Sequence, residues 1–272
     1  MKTVLGLGVA FLLLPLFGIL AIAQASSSAS ASASSDGPME VTIGTFNFAA
    51  GDSLALEIVR AEDCTCMCDP ISVVEFHLEN ADGSVPVKLL NNSELPLAID
   101  KWVGMLTLAS PDGSPLPAGE YTVVVETNAG AFRARIKVAD EGMTASSSWG
   151  RVSSSASICG VEIRVYRLLT KETPTSIILH IGDRLMVALA GNATTGYAWE
   201  QIVSEEESIL SLLAGLDYQP EPAPAGTVGS GGTFFFRYNA ESAGSMELTF
   251  TYRRPWEEGP GAETSTFHVV AD

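Results

Sequence analysis

Tyr121-Thr-Val-Val-Val-Glu-Thr-Asn-Ala-Gly-Ala-Phe-Arg-Ala-Arg-Ile-Lys-Val138 decides the fold class. Tyr121 to Glu126 and Ala131 to Val138 are short runs rich in β-branched and aromatic residues, which suit a pleated surface. Thr127-Asn128-Ala129-Gly130 between them is a hairpin signal. Within Phe132-Arg-Ala-Arg-Ile-Lys-Val138 the charges fall on one face of a strand and the apolar side chains on the other. No helical period of useful length competes with this reading.

Working outward, the same grammar recurs. Val41 to Phe46, Leu54 to Val59, Ile71 to Leu78 and Trp102 to Leu108 read as strands, and Pro111 to Tyr121 reads as the turn feeding the hairpin. An immunoglobulin-like sandwich fits this half best. From Ile158 onward further strands are expected at Val161–Leu168, Ser176–Ile181, Arg184–Ala190, Tyr197–Val203, Thr233–Tyr238, Met246–Tyr252 and Thr264–Val270. Ser204 to Leu213 is expected to form one or two helical turns, its acidic start favoured by the helix dipole. Two Ser/Ala-rich stretches, with nothing large enough to pack, punctuate the chain. The expected fold is therefore all-β: two immunoglobulin-like β-sandwich domains, 38–143 and 158–272, joined by a Ser-rich linker at 144–157 and preceded by a stalk at 24–37.

Residues 1–23 read as a targeting segment. Lys2 precedes an almost wholly apolar run from Val4 to Ile22, and Ala21-Ile22-Ala23 is a small-x-small cleavage pattern. The run is also long enough to span a bilayer, so it is either a cleaved signal peptide or a retained N-terminal anchor. Either way the remainder is expected outside the cytoplasm, secreted or extracytoplasmic, and in contact with a membrane only through that anchor. The formal net charge is −17 at pH 7 and both halves share it. With no basic stripe, nucleic acid is excluded as a natural partner; an acidic surface aids solubility and steers toward a basic partner.

Cys64, Cys66 and Cys68 crowd into Cys64-Thr-Cys-Met-Cys68, and Cys159 opens the second half. In an oxidising compartment disulfides are the leading expectation. A soft-metal site using the thiolates and the Met67 thioether is the alternative, and free thiols are a third. Pairing cannot be read from spacing.

Three loop-like clusters interrupt the strands of the second half: Asn192-Ala193-Thr194-Thr195-Gly196-Tyr197, Gly229-Ser230-Gly231-Gly232, and Arg254-Pro255-Trp256. In an antiparallel sandwich alternate connections emerge at one end, so the three are expected to project together. Glycines allow close backbone approach to a partner, Pro255 stiffens its loop, and an exposed Trp256 is the kind of anchor that dominates binding energy. Thr194 and Thr195 are small and polar, suited to a narrow cleft. Tyr197 and Trp199, alternating on a strand, read as core; the structural alternatives elsewhere are that Asn192 stabilises its own turn and that Trp256 packs against its own sheet. Asn192-Ala193-Thr194 is also a glycosylation sequon; a glycan there would cover the loop. His77, His180 and His268 all sit inside strand-like runs, and there is no Gly-x-Ser-x-Gly elbow, nucleotide loop or His-rich spacing. No enzyme and no cofactor is expected.

Over Val161 to Val270 the sequence resembles the chagasin family of cysteine-protease inhibitors, whose signature loops are of the types N-P-T-T-G-Y, G-x-G-G and R-P-W. Gly229 to Gly232 and Arg254 to Trp256 match fully; the first loop departs at Ala193, where proline is usual. The resemblance implies a tight, reversible, non-covalent inhibitor of papain-like cysteine proteases. It implies that Thr194, Thr195 and Gly196 enter the catalytic cleft, flanked by the glycine loop and by Trp256. The competing expectation is a cell-surface adhesion or envelope protein of tandem β-sandwich domains, in which the triple motif would have no purpose.

Overall fold

The computed structural model describes residues 30–32, 39–60, 71–90, 97–99, 101–128, 130–139, 155–158, 161–202, 208–221, 229, 231–257 and 259–272. Residues 1–23, expected to be a targeting segment, and all four cysteines lie outside these residues, as do most of the two Ser-rich stretches.

The first half contributes β1 (Ser30–Ser32), β2 (Met39–Ala49), β3 (Ser53–Arg60), β4 (Ile71–Asn80), β5 (Gly83–Val85), β6 (Lys88–Leu89), β7 (Leu97–Ile99), β8 (Lys101–Thr107), β9 (Gly119–Thr127) and β10 (Gly130–Ala139). The second contributes β11 (Ser155–Ile158), β12 (Val161–Leu169), β13 (Ser176–Leu179), β14 (Arg184–Gly191), β15 (Ala198–Ile202), β16 (Leu210–Pro220), β17 (Gly232–Ala240), β18 (Gly244–Arg253) and β19 (Glu263–Ala271). The one helical element among the described residues is a 3₁₀ turn at Ala193–Thr195. The chain is all-β, as the alternation at Phe132–Val138 requires.

One sheet runs β1-β2-β10-β9-β4-β5 with β7 on β4, another β13-β19-β18-β15, and a third β16-β17-β14-β12-β3-β8-β6 with β11 on β12. This third sheet passes through both halves. β12 pairs antiparallel with β3 from Val161↔Arg60 to Arg167↔Leu54, and its last residues pair in parallel with Leu185–Val187 of β14. The reason lies in its side chains. Ile163 and Val165 point into a first core with Phe46, Leu56, Phe76, Trp102 and Phe132. Leu169 enters a second with Leu185, Val187 and Leu189 of β14, and with Trp199, Phe236 and Phe250. The opposite face of the shared sheet carries a third cluster, including Val103, Met105, Tyr166, Met186, Ala188 and Phe235.

Three expectations change. Ser30–Ser32, read as stalk, and Ser155–Ser157, read as the end of the linker before Ile158, lie in edge strands on β2 and β12; ladder hydrogen bonds need backbone groups, not side-chain volume. Leu210–Leu213, expected to end one or two helical turns begun at Ser204, instead open a strand, Leu210–Pro220, bulged against β17 at Leu212/Ala214 and Ala214/Asp217; the acidic start of that expected helix, residues 204–207, lies outside the described residues.

Charged side chains tie the halves together. Glu57 of β3 is fully buried and accepts hydrogen bonds from Arg237 Nε of β17 (2.8 Å) and Tyr166 Oη of β12 (2.8 Å). Arg237 also donates to Asp217, which Lys101 of β8 approaches. On the same strand as Tyr166, buried Arg167 donates to Asp183 (3.0 Å), Asp52 (3.2 Å) and the Asn47 carbonyl (3.1 Å). Burial first, and then the Glu57 carboxylate, raise the Tyr166 phenol above its ordinary range. Burial also raises Asp52, against the opposing pull of Arg167.

Candidate functional site

Register places the three loop clusters at one end. Gly191, closing β14, pairs with Gly232, opening β17, and Ala198, opening β15, pairs with Arg253, closing β18. The connections that follow or precede these residues are Asn192–Tyr197, Gly229–Gly231 and Arg254–Trp256.

The first loop is built by Asn192. Its extended backbone (φ −133°, ψ 97°) starts the 3₁₀ turn, and its Oδ1 accepts from the Thr194 amide (3.1 Å) and the Thr194 hydroxyl (2.6 Å). This is N-capping, which satisfies amides a helix start leaves without partners. Thr195 Oγ1 donates to the Asn192 carbonyl (2.6 Å), and Gly196, at φ +81°, closes the turn by donating to Ala193. Thr194 and Thr195 remain exposed.

The same residues bind the loops to each other. Asn192 Nδ2 donates to the Gly229 carbonyl (2.9 Å), linking the first loop to the second. Arg254 Nε donates to the Thr195 carbonyl (3.2 Å), linking the third to the first. The Arg254 guanidinium lies 4.7 Å from the Tyr197 ring centroid and pairs with Glu257 at 2.7 Å, a hydrogen bond that raises its pKa further. Pro255 is exposed, and Trp256 is 70% exposed with its ring against Gly196. In the second loop the Gly231 carbonyl accepts from the Glu221 amide. Gly232 is required by packing, since a Cβ there would lie 2.5 Å from the Gln219 carbonyl and the Tyr218 ring. Ser230 lies outside the described residues.

Beneath the loops is an aromatic platform. Trp199 is core, as expected, and its Nε1 donates to the Ala190 carbonyl. Tyr197 departs from the core expectation: it is half-buried, stacked on Tyr252 at 5.2 Å with Arg254 over it. Tyr252 is the residue that motif reading missed. Its hydroxyl accepts from the Asn192 amide (2.7 Å) and faces the Asn192 carbonyl (3.3 Å), fixing the loop from below. Its only sequence signal is its position on the strand leading into Arg254.

The histidines lie elsewhere. His77 contacts Glu75 and Glu79 in the first half, and His180 sits beside Asp183 at the start of β14, the far end from the loops. Among the described residues no group of three His, Cys, Asp or Glu side chains is arranged to hold a metal ion. What the site offers is a rigid ridge of exposed Thr194, Thr195, Pro255 and Trp256, with no nucleophile–base pair in it.

Residues 178–270 match the family described as chagasin family peptidase inhibitor I42. Amoebiasin-1 of Entamoeba histolytica is 30% identical over 93 residues, 34% of this chain and 84% of that protein. Chagasin of Trypanosoma cruzi is 29% identical over 94 residues, 35% of this chain and 84% of that protein. Among solved structures, the cysteine protease inhibitor EhICP2 of Entamoeba histolytica is similar at 27% identity and a TM-score of 0.34, over 39% of this chain and 94% of that one. On its second half, the chain belongs to the chagasin family of peptidase inhibitors.

Proposed function

We propose that this protein is an exported, reversible inhibitor of papain-like cysteine proteases that blocks the active-site cleft with Asn192–Tyr197, Gly229–Gly232 and Arg254–Trp256. The observation that carries the reading is the mutual fastening of the loops by Asn192 Nδ2 to Gly229 and Arg254 Nε to Thr195. Fastened loops lose little conformational freedom on binding, which is how a small surface reaches high affinity.

The shape of the first loop suits inhibition without cleavage. A papain-like protease acts through a cysteine thiolate on an extended peptide. The first loop presents a closed 3₁₀ turn instead, with the Thr195 carbonyl already accepting from Arg254. Thr194, Thr195 and Gly196 fill the cleft near the thiolate, and Trp256 lies on the protease beside it. Asn192 and Arg254 act chiefly by holding this shape, because their polar groups are engaged within the inhibitor, and Tyr197 does so through its ring, held between Tyr252 and Arg254. Residues 1–23 deliver the chain out of the cytoplasm, and the first half is a scaffold that carries the inhibitory end.

The test is a titration of papain and of a cathepsin-L-like protease with the chain lacking residues 1–23. Inhibition saturating at one-to-one with the chain intact is expected. Failure against both, in the Ala193→Pro variant as well, overturns the reading in favour of adhesion.

A further inference from the structure

Beside the second loop a cleft of about 200 Å³ opens between the two halves of the chain. Val103 and Met105 of β8 and Phe235 of β17 form an apolar floor, Leu90 forms one wall, and Glu172 and Glu221 stand at the rim. The cleft continues past Ala188 and Ala190 into an adjoining space of about 180 Å³. It is contiguous with the loop site: the Glu221 amide donates to Gly231, and a Glu221 carboxylate oxygen lies 3.6 Å from where a Gly231 Cβ would be. Glu172 pairs with Lys88 at the surface (2.8 Å), whereas exposed Glu221 makes no ion pair among the described residues.

We propose that this cleft receives a lysine or arginine side chain from the same protease molecule that the three loops hold; the proposal rests on the inhibitor reading above. The chemistry selects the occupant. An aliphatic stem covers the Met105 and Phe235 floor while its cationic head stays at the rim, where the Glu221 carboxylate is open to it and Glu172 is shared with Lys88. An acidic side chain would meet like charge, and a purely apolar one would desolvate Glu221 without a partner. A net charge of −17 over the whole chain favours the approach of a basic protease surface, and rim charges of this kind act mainly on association rate and partner choice. The first half, which supplies Leu90, Val103 and Met105, thereby becomes part of the binding surface.

The test compares papain inhibition by the wild-type chain, the double variant Glu172→Lys/Glu221→Lys, and a remote double variant of equal charge change, Asp82→Lys/Glu120→Lys. The cleft variant is expected to raise Ki at least tenfold, chiefly by slower association with a weaker salt dependence, and the remote variant to change it less than threefold. Equal losses in the two doubles, or no loss in the cleft variant while Trp256→Ala does lose inhibition, would overturn the cleft and leave the inhibitor reading standing. Should the wild-type chain inhibit no protease, Nα-acetyl-arginine amide is titrated against protein labelled at the methionine methyls. A saturable shift at Met105, lost in the cleft variant, upholds the basic-side-chain site for another partner. No shift overturns it.

Discussion

The far edge of the Trp256 indole lies 2.6 Å from the point that a Cβ on Gly196 would occupy. Gly196 therefore does two things: it takes the left-handed φ of +81° that ends the first loop, and it leaves room for the tryptophan. Gly196→Ala adds a φ penalty of about 1–2 kcal/mol and pushes the exposed ring outward, since the ring yields more easily than backbone. Lower thermal stability, altered Trp256 fluorescence and weaker inhibition are expected together. Unchanged inhibition with a displaced ring would show that the seat of Trp256 does not matter.

Trp256→Ala removes a 70%-exposed indole that no core depends on. If the ring anchors the protease, binding weakens by about 2 kcal/mol or more, roughly thirtyfold in Ki, with circular dichroism and melting temperature unchanged. Wild-type Ki in this variant would remove the anchor role.

Ala193 stands where the family carries proline, and the geometry accepts one. It is the first residue of the 3₁₀ turn, its amide makes no hydrogen bond among the described residues, and Asn192 before it is extended at φ −133°, ψ 97°. That is extended backbone, clear of the α region that a following proline disfavours. Ala193→Pro is expected to stabilise by about 0.4–1 kcal/mol through the unfolded state and to lower Ki. A drop in melting temperature would mean the turn's φ differs from the one proline imposes.

How far the site was legible follows from which residues make contacts within the chain and which face outward. The Gly and Pro punctuation marked the loops because those residues set backbone geometry that sequence alone declares, and Trp256 stood out as a large aromatic directly after such a break. Period-two alternation marked the strands for the same reason. Tyr252 was invisible because its role is a hydroxyl reaching Asn192 across sixty positions, which no local pattern encodes. The shared sheet was invisible too: Ile163 and Val165 look like any inward-facing pair, and nothing local says into which core. The Glu57–Arg237 pair spans 180 positions, so each residue reads from sequence as an ordinary charged strand residue.

Asp217 gives the junction a pH signature. Burial alone would raise its carboxyl, but the hydrogen bond and charge of Lys101, with Arg237, outweigh burial and hold it below its ordinary value of 3.8. A carboxyl depressed in the folded state contributes stability above its unfolded pKa and loses it as pH falls through the folded pKa. Asp217→Asn should therefore melt below wild type at pH 7, with the gap closing under acid conditions below pH 3.8. Parallel melting profiles across that range would show that the Lys101 and Arg237 contacts add nothing to folding.

The halves should unfold as one. Arg237 is 1% exposed and Glu57 fully buried, and they belong to opposite halves of the chain. Removing Glu57 takes from buried Arg237 one of its two carboxylate partners and leaves it half-buried Asp217 alone, a loss below the about 3–5 kcal/mol of a fully unpaired buried charge. Glu57→Ala is thus expected to lower the melting temperature of the whole chain in a single transition, whereas Glu57→Ala with Arg237→Met should recover much of the loss. The fragment 158–272 carries the matter further. Cut from β3, it exposes Ile163, Val165 and Arg237, which the intact chain buries. Its loops keep their own hydrogen bonds, all of which lie within residues 192–257. The fragment should melt well below the full chain yet, at a temperature where it is folded, present the same three loops. Two separate melting transitions in the intact protein, or a fragment as stable as the whole, would show that the shared sheet and the Glu57–Arg237 pair do not couple the halves.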